Sequence, residues 1–154
     1  MKKELDRIDI KIISALQTDG RMTNVDLADK VGISAPPCLR RVRALENAGY
    51  LTGYHADVDS AKLGFTVTVF AMVGLHSQAD RDLQAFEELV RSWPEVRECH
   101  MLNGDIDFIL KCVSEDLSSF QMFLTQKLTP APNVANVKTS LTIRQTKKQP
   151  GVPL

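Results

Sequence analysis

Three glycines, Gly20, Gly32 and Gly49, cut the first fifty residues into three short apolar-striped segments. Glycine accepts the left-handed backbone conformation that ends many helices, so each segment predicts one short helix and a stop. In the first, Leu5, Ile8, Ile12 and Leu16 recur at helical spacing, and Ile13 and Ala15 widen the stripe. Asp6 or Asp9 stands in the first turn, where a negative charge suits the helix dipole. This predicts a helix over roughly 6–18. In the second, Val25, Leu27, Ala28 and Val31 are the apolar positions, and Thr23 is the cap with Asp26 three residues on. Gly32, Ile33 and Ser34 separate this helix from a third, which Ser34 is expected to cap and which continues to about Ala48. Helix, short helix, three-residue turn and helix make a helix-turn-helix. Beyond Gly49, the residues Tyr50, Leu51, Tyr54 and Val58 surround Gly53 and predict a short β wing or hinge strand. The unit is therefore expected to be a winged helix-turn-helix over residues 1–53, followed by a linker over 54–64.

The third helix carries an uneven charge. The chain has 19 basic and 19 acidic residues, yet Arg40, Arg41 and Arg43 fall within four positions. Residues 1–53 hold nine Lys/Arg and seven Asp/Glu, a weak asymmetry, so the local cluster is the sharper signal. Cys38, Leu39, Val42 and Leu45 fall on one side of the helix and are expected to pack inward. Arg40, Ala44 and Asn47 point the opposite way, with Arg43 beside them and Arg41 on the other flank. On an isolated helix such arginines are commonly a solvated face. In a helix-turn-helix they lie on the element that enters the major groove of double-stranded DNA. The planar fork of arginine suits both phosphates and base edges. Pro36 and Pro37 fall in the first turn, where their missing N–H groups are not needed and their fixed φ suits helix entry. Thr23, Ser34, Ala35, Pro36 and Pro37 are candidate contacts at the helix starts, since such ends favour phosphate. Arg40, Arg41 and Arg43 are the candidate contacts along the helix, with Arg40 the first choice for a base edge.

From residue 65 the pattern changes. Phe65, Val67, Val69, Ala71, Val73 and Leu75 alternate along one strand face. Leu83, Phe86, Leu89, Val90 and Trp93 form a helical stripe that stops at Pro94. "EVRECHMLNG" and "IDFILKCV" read as two strands joined at the Asn103-Gly104 turn dipeptide. A second helix is expected with Ser114 as its cap and Leu117, Phe120, Phe123, Leu124 and Leu128 inward, and "VANVKTSLTI" as the last strand. The order β-α-β-β-α-β is the ferredoxin-like pattern, expected over residues 65–146. The fold class is thus α+β. Residues 147–154, with Pro150 and Pro153, are expected to be a mobile tail.

Several function classes are unsupported. No apolar run reaches about 18 residues, so no membrane span is expected. Acids interrupt the first apolar stretch, unlike a signal peptide, and a cytoplasmic protein is expected. Cys38, Cys99 and Cys112 suggest neither disulfides nor a zinc site. His55, His76 and His100 sit in no catalytic or metal-binding motif, and no phosphate-binding glycine loop or dinucleotide fingerprint is present. Neither an enzyme nor a cofactor is expected. The loop "LNGDIDF", Leu102 to Phe108, gathers Asp105 and Asp107 next to Gly104. Its amides and carboxylates suit the two ends of a free amino acid, but the spacing alone favours an ordinary hairpin with solvated acids.

The segment "LDRIDIKIISALQTDGRMTNVDLADKVGISAPPCLRRVRALENAGYLTGY" resembles the DNA-binding half of the Lrp/AsnC (feast/famine) transcription regulators. "VRECHMLNGDIDFILK" resembles the effector and oligomerisation domain of that family. The resemblance covers residues 4–145. It implies a ferredoxin-like domain that pairs through its sheets into a homodimer, higher oligomers such as an octamer, and an amino-acid effector bound between dimers. It places the effector loop at Met101, Leu102, Asn103, Gly104, Asp105 and Asp107. Ile106 stands where an aromatic residue is frequent. The function expected is sequence-specific transcriptional regulation whose oligomeric state or DNA affinity responds to a small ligand. The alternative is a ligand-independent architectural regulator whose second domain only oligomerises.

Overall fold

Asp6 and Asp9 start the first helix together. In the computed structural model, which describes residues 4–154, α1 spans Arg7–Thr18 and Asp6 is its N-cap. The Asp6 carboxylate accepts the N–H groups of Ile8 at 2.9 Å and Asp9 at 2.8 Å, and the Asp9 carboxylate accepts the Asp6 N–H at 3.4 Å. This is a reciprocal capping box built from two aspartates. Helix α2 spans Asn24–Val31. The Thr23 hydroxyl accepts the Asp26 N–H at 3.2 Å and donates to its carboxylate at 2.5 Å. Gly32, at φ 80°, ends α2 in the left-handed region. Helix α3 spans Ala35–Asn47, and the Asn24 side-chain amide donates to the Ala35 carbonyl at 2.8 Å, tying the starts of α2 and α3. Ile12, Ile13, Leu16, Leu27, Val31, Cys38 and Leu45 form the buried centre of these three helices.

Ser34 corrects one expectation. It holds the extended N-cap conformation but makes no side-chain cap bond. A capping oxygen accepts from the second or third helical N–H, and here those positions are Pro36 and Pro37, which have none. The expected strand after Gly49 is also absent: Thr52–Asp59 has no ladder partner among the described residues. A strand exists only when its backbone groups pair with a neighbour. The segment is held instead by Tyr54, whose hydroxyl donates to Glu46 Oε1 at 2.9 Å.

The second unit carries β1 (Val67–Leu75), α4 (Asp80–Arg91), β2 (Val96–Met101), β3 (Phe108–Ser114), α5 (Leu117–Phe123) and β4 (Val134–Leu141). A wider turn, Leu124–Leu128, extends α5. The four antiparallel strands lie in the order β2-β3-β1-β4, as the ferredoxin-like pattern requires. Val69, Ala71 and Val73 of β1 and Phe108, Leu110 and Cys112 of β3 are buried on one face, with Phe86, Val90, Phe120 and Phe123 of the helices. Phe86 anchors this core, its ring centroid 4.9 Å from Phe108 and 6.3 Å from Trp93.

Two details differ from the sequence expectations here. Asp116, not Ser114, caps α5, accepting the Ser119 N–H at 2.7 Å, while Ser114 ends β3 as a buried strand residue. Leu117, expected inward, is 58% exposed in the first turn. Asn133 holds the start of β4 at φ 67°, its amide bonded to both backbone groups of Ser77.

The chain divides into two compact units, one running to Asp57 together with Lys147–Leu154, the other Val58–Thr146. The expected mobile tail is thus docked on the helical unit. The Gln17 side chain accepts the Val152 N–H at 2.7 Å and donates to its carbonyl at 3.2 Å, and Lys148 pairs with Asp57. Among the described residues, no helix is long and apolar enough to cross a membrane.

Candidate DNA interface and effector loop

The packing of α3 decides what its arginines can reach. Cys38 and Leu45, two turns apart, are fully buried against α1 and α2, and Val42 between them is half-buried. Arg40 and Arg43 are exposed and make no ion pair among the described residues. The outward side of α3 is therefore basic and open. Arg41, on the flank, differs: its Nη1 lies 2.7 Å from Asp6 Oδ2 and 2.8 Å from Asp9 Oδ1. Asp9 is only 1% exposed. The Asp6 carboxyl is held below its ordinary range, first by the Asp9 backbone N–H and then by Arg41. Leu39, expected inward, is 38% exposed and borders Arg40 and Arg43, where an apolar side chain can meet a thymine methyl group. Leu39 was missed as a surface residue because it lies about 100° around the helix from Cys38, at the margin of the apolar stripe.

The start of α3 offers fewer donors to an anion than most helix ends do. Pro36 and Pro37 offer no N–H, which leaves the amides of Ser34 and Ala35 and the uncommitted Ser34 hydroxyl. The Thr23 hydroxyl is occupied by its own cap with Asp26. The Tyr54 ring lies beside Gly20, and burial, helped by its bond to Glu46, pushes its phenol up to about 12.

The loop expected to hold the effector joins β2 to β3. The Leu102 N–H donates to the Asp107 carbonyl at 2.8 Å and closes the loop. Asp107 is then fixed twice to the end of β1: its N–H donates to the Val73 carbonyl at 2.9 Å, and its carboxylate accepts the Leu75 N–H at 2.6 Å. Asn103, Gly104 and Asp105 are exposed, and among the described residues no hydrogen bond engages their N–H groups. Met101 and Leu102 are exposed apolar neighbours. The six expected loop residues share the one β2–β3 connection, interrupted by Ile106, but they divide by role. Asp107 holds the loop, and Asp105 and the free amides form its open tip.

Comparison with known proteins accounts for both halves. Residues 5–52 match the winged helix-turn-helix DNA-binding family, and residues 68–152 match the Lrp/AsnC ligand binding domain. The chain belongs to the Lrp/AsnC family. A leucine-responsive regulatory protein of Rhizobium meliloti is 54% identical over 147 residues, spanning 96% of this chain and 94% of that relative. A Bkd operon transcriptional regulator of Pseudomonas aeruginosa is 43% identical over 98% of this chain and 99% of its own length. A Neisseria meningitidis transcriptional regulator, solved in complex with L-Met, superposes with a TM-score of 0.92 at 33% identity, covering 97% of each chain. This Lrp/AsnC member is a ligand-responsive, DNA-binding transcriptional regulator, and its relatives are regulators rather than enzymes. The winged helix-turn-helix half is the DNA-binding domain, and the ferredoxin-like half is the ligand-binding domain.

Proposed function

We propose that the protein reads operator DNA with α3 and that a free amino acid with an apolar side chain modulates this binding. The observation that carries the reading is the division among the arginines of α3: Arg40 and Arg43 are exposed and make no ion pair among the described residues, while Arg41 is engaged. Arg40 contacts a base edge, Arg43 a base or phosphate, and Ser34 with the Ala35 amide a phosphate. In a homodimer two such helices lie about 34 Å apart, or a multiple of it, on an inverted repeat. Higher assembly, such as an octamer, multiplies those contacts.

The effector reading rests on the loop tip. The open amides of Asn103, Gly104 and Asp105 suit a carboxylate, the Asp105 carboxylate suits an ammonium, and Met101 and Leu102 suit an apolar side chain. Relatives named leucine-responsive, and one bound to L-Met, support an apolar amino acid. One observation favours the ligand-independent alternative: Asp107 is already committed to Leu75, which leaves one loop carboxylate rather than two. A thermal-shift screen of the twenty amino acids, each at millimolar concentration, separates the readings. A ligand that binds the folded state raises the unfolding temperature by mass action. A rise with leucine, methionine or another apolar amino acid, together with a change in DNA affinity, is expected. No shift with any of them contradicts the effector reading and leaves the architectural one.

A further inference from the structure

Arg41 sits between the two outward arginines in sequence, and its guanidinium is bound to α1 instead of facing outward. We infer that Arg41 is a positioning residue for DNA recognition: it fixes the roll of α3 about its own axis so that Arg40 and Arg43 meet the groove, and it does not itself touch DNA. The inference rests on the assignment of α3 as the reading helix.

The fully buried side chains of α3, Cys38 and Leu45, are seven residues apart and lie close to one line along the helix. A helix gripped along one line resists sliding better than rolling. Ala35 and Val42, the apolar side chains nearest that line, are only half-buried, and Leu39, farther round, is exposed. A roll of about 20° carries a side-chain head by roughly 2 Å, enough to break a hydrogen bond to a base edge. Arg41 lies on the flank, where a tether opposes such a roll. Its single Nη1 atom bridges two carboxylates, at 2.7 Å and 2.8 Å. Those carboxylates are fixed in turn, because Asp6 and Asp9 form the capping box of α1. The anchor is therefore part of a helix end and not a loose surface acid. Two acids beside one arginine also leave a locally negative cluster, which a phosphate would not favour.

The test uses the full-length protein and a duplex selected from a random-sequence library by the unaltered protein, at a temperature where circular dichroism shows every variant folded. Arg41→Gln is expected to weaken binding to that duplex roughly fivefold without changing the salt dependence, because no phosphate contact is lost. Arg41→Lys is expected to recover part of the loss, since an ammonium keeps the charge but not the fork. Asp6→Asn keeps a good N-cap and removes one anchor. Measured in both backgrounds, Asp6→Asn is expected to harm binding more in the unaltered protein than in the Arg41→Gln variant. A salt slope that falls by about one for each protomer carrying Arg41→Gln makes Arg41 a phosphate contact and overturns the inference. So does an Asp6→Asn change that strengthens binding more in the unaltered protein than beside Arg41→Gln, because it shows a freed guanidinium moving to DNA. Unchanged binding by Arg41→Gln alone overturns the positioning role. Unchanged binding by both Arg41→Gln and Arg40→Ala overturns the assignment of α3 itself.

Discussion

Arg40, Arg41 and Arg43 share a chemistry and differ in what surrounds them. Arg41 faces the two acids that cap α1, and among the described residues Arg40 and Arg43 pair with none. The same network carries a pH dependence. The folded-state pKa of Asp6 lies below its ordinary value of 3.8, chiefly through the Asp9 N–H and then Arg41. Ionised Asp6 therefore contributes its stability at every pH above that ordinary value, and the contribution is lost as pH falls through the depressed folded value. Asp6→Asn is expected to flatten the loss of stability in this acidic window and to change little in slope near neutrality. Urea denaturation at a series of pH values checks this, and identical acid slopes for both proteins would contradict it.

Among the elements, helix caps separate what local pattern reveals from what it hides. Thr23 and Ser34 look alike in the sequence, each a hydroxyl before a helix. Thr23 finds the Asp26 N–H, whereas Ser34 meets two prolines where its donors should be. Thr23→Ala is thus expected to cost about 1 kcal/mol and Ser34→Ala almost nothing, by chemical denaturation. Equal losses would contradict the assignment. The three helices and four strands were legible because apolar periodicity and glycine stops are local signals. The Ser34 failure was legible in principle, since Pro36 and Pro37 are in plain view. The Arg41 anchor was not, because Asp6 lies 35 residues away and only packing brings it close. Nor was the fate of Tyr50–Val58, because a strand depends on its neighbour as much as on its own residues. Ser114 was misplaced by two residues because several polar residues precede α5, and only the hydrogen bonds show that Asp116 caps it. In the loop between β2 and β3 the resemblance supplied the six candidate residues, but the sequence could not show that Asp107 is tied to β1.

At the scale of the whole molecule, the chain leaves the helical unit at Asp57 and returns to it at Lys147. The return is held by the paired bonds of Gln17 with Val152 and by an exposed Lys148–Asp57 ion pair. Gly151 makes the approach possible: at φ 74°, with Gln17 directly where a Cβ would stand, no other residue fits without displacing it. Removing residues 148–154 is expected to cost the helical unit about 1–2 kcal/mol, mostly from the two hydrogen bonds, since exposed ion pairs contribute little. Gly151→Ala should reproduce much of that loss, measured by denaturant unfolding. An unchanged midpoint for both would show that the tail adds nothing.

If α3 reads sequence through Arg40, removing that side chain alters preference as well as affinity. The most direct measurement is the affinity of Arg40→Ala for a selected operator and for a panel of its single-base variants at fixed salt. The expected result is a loss of about 1–3 kcal/mol on the best sequence and a relaxed preference at one position in each half-site. Equal weakening on every duplex, with the preference intact, would contradict it and leave Arg40 as a phosphate contact only.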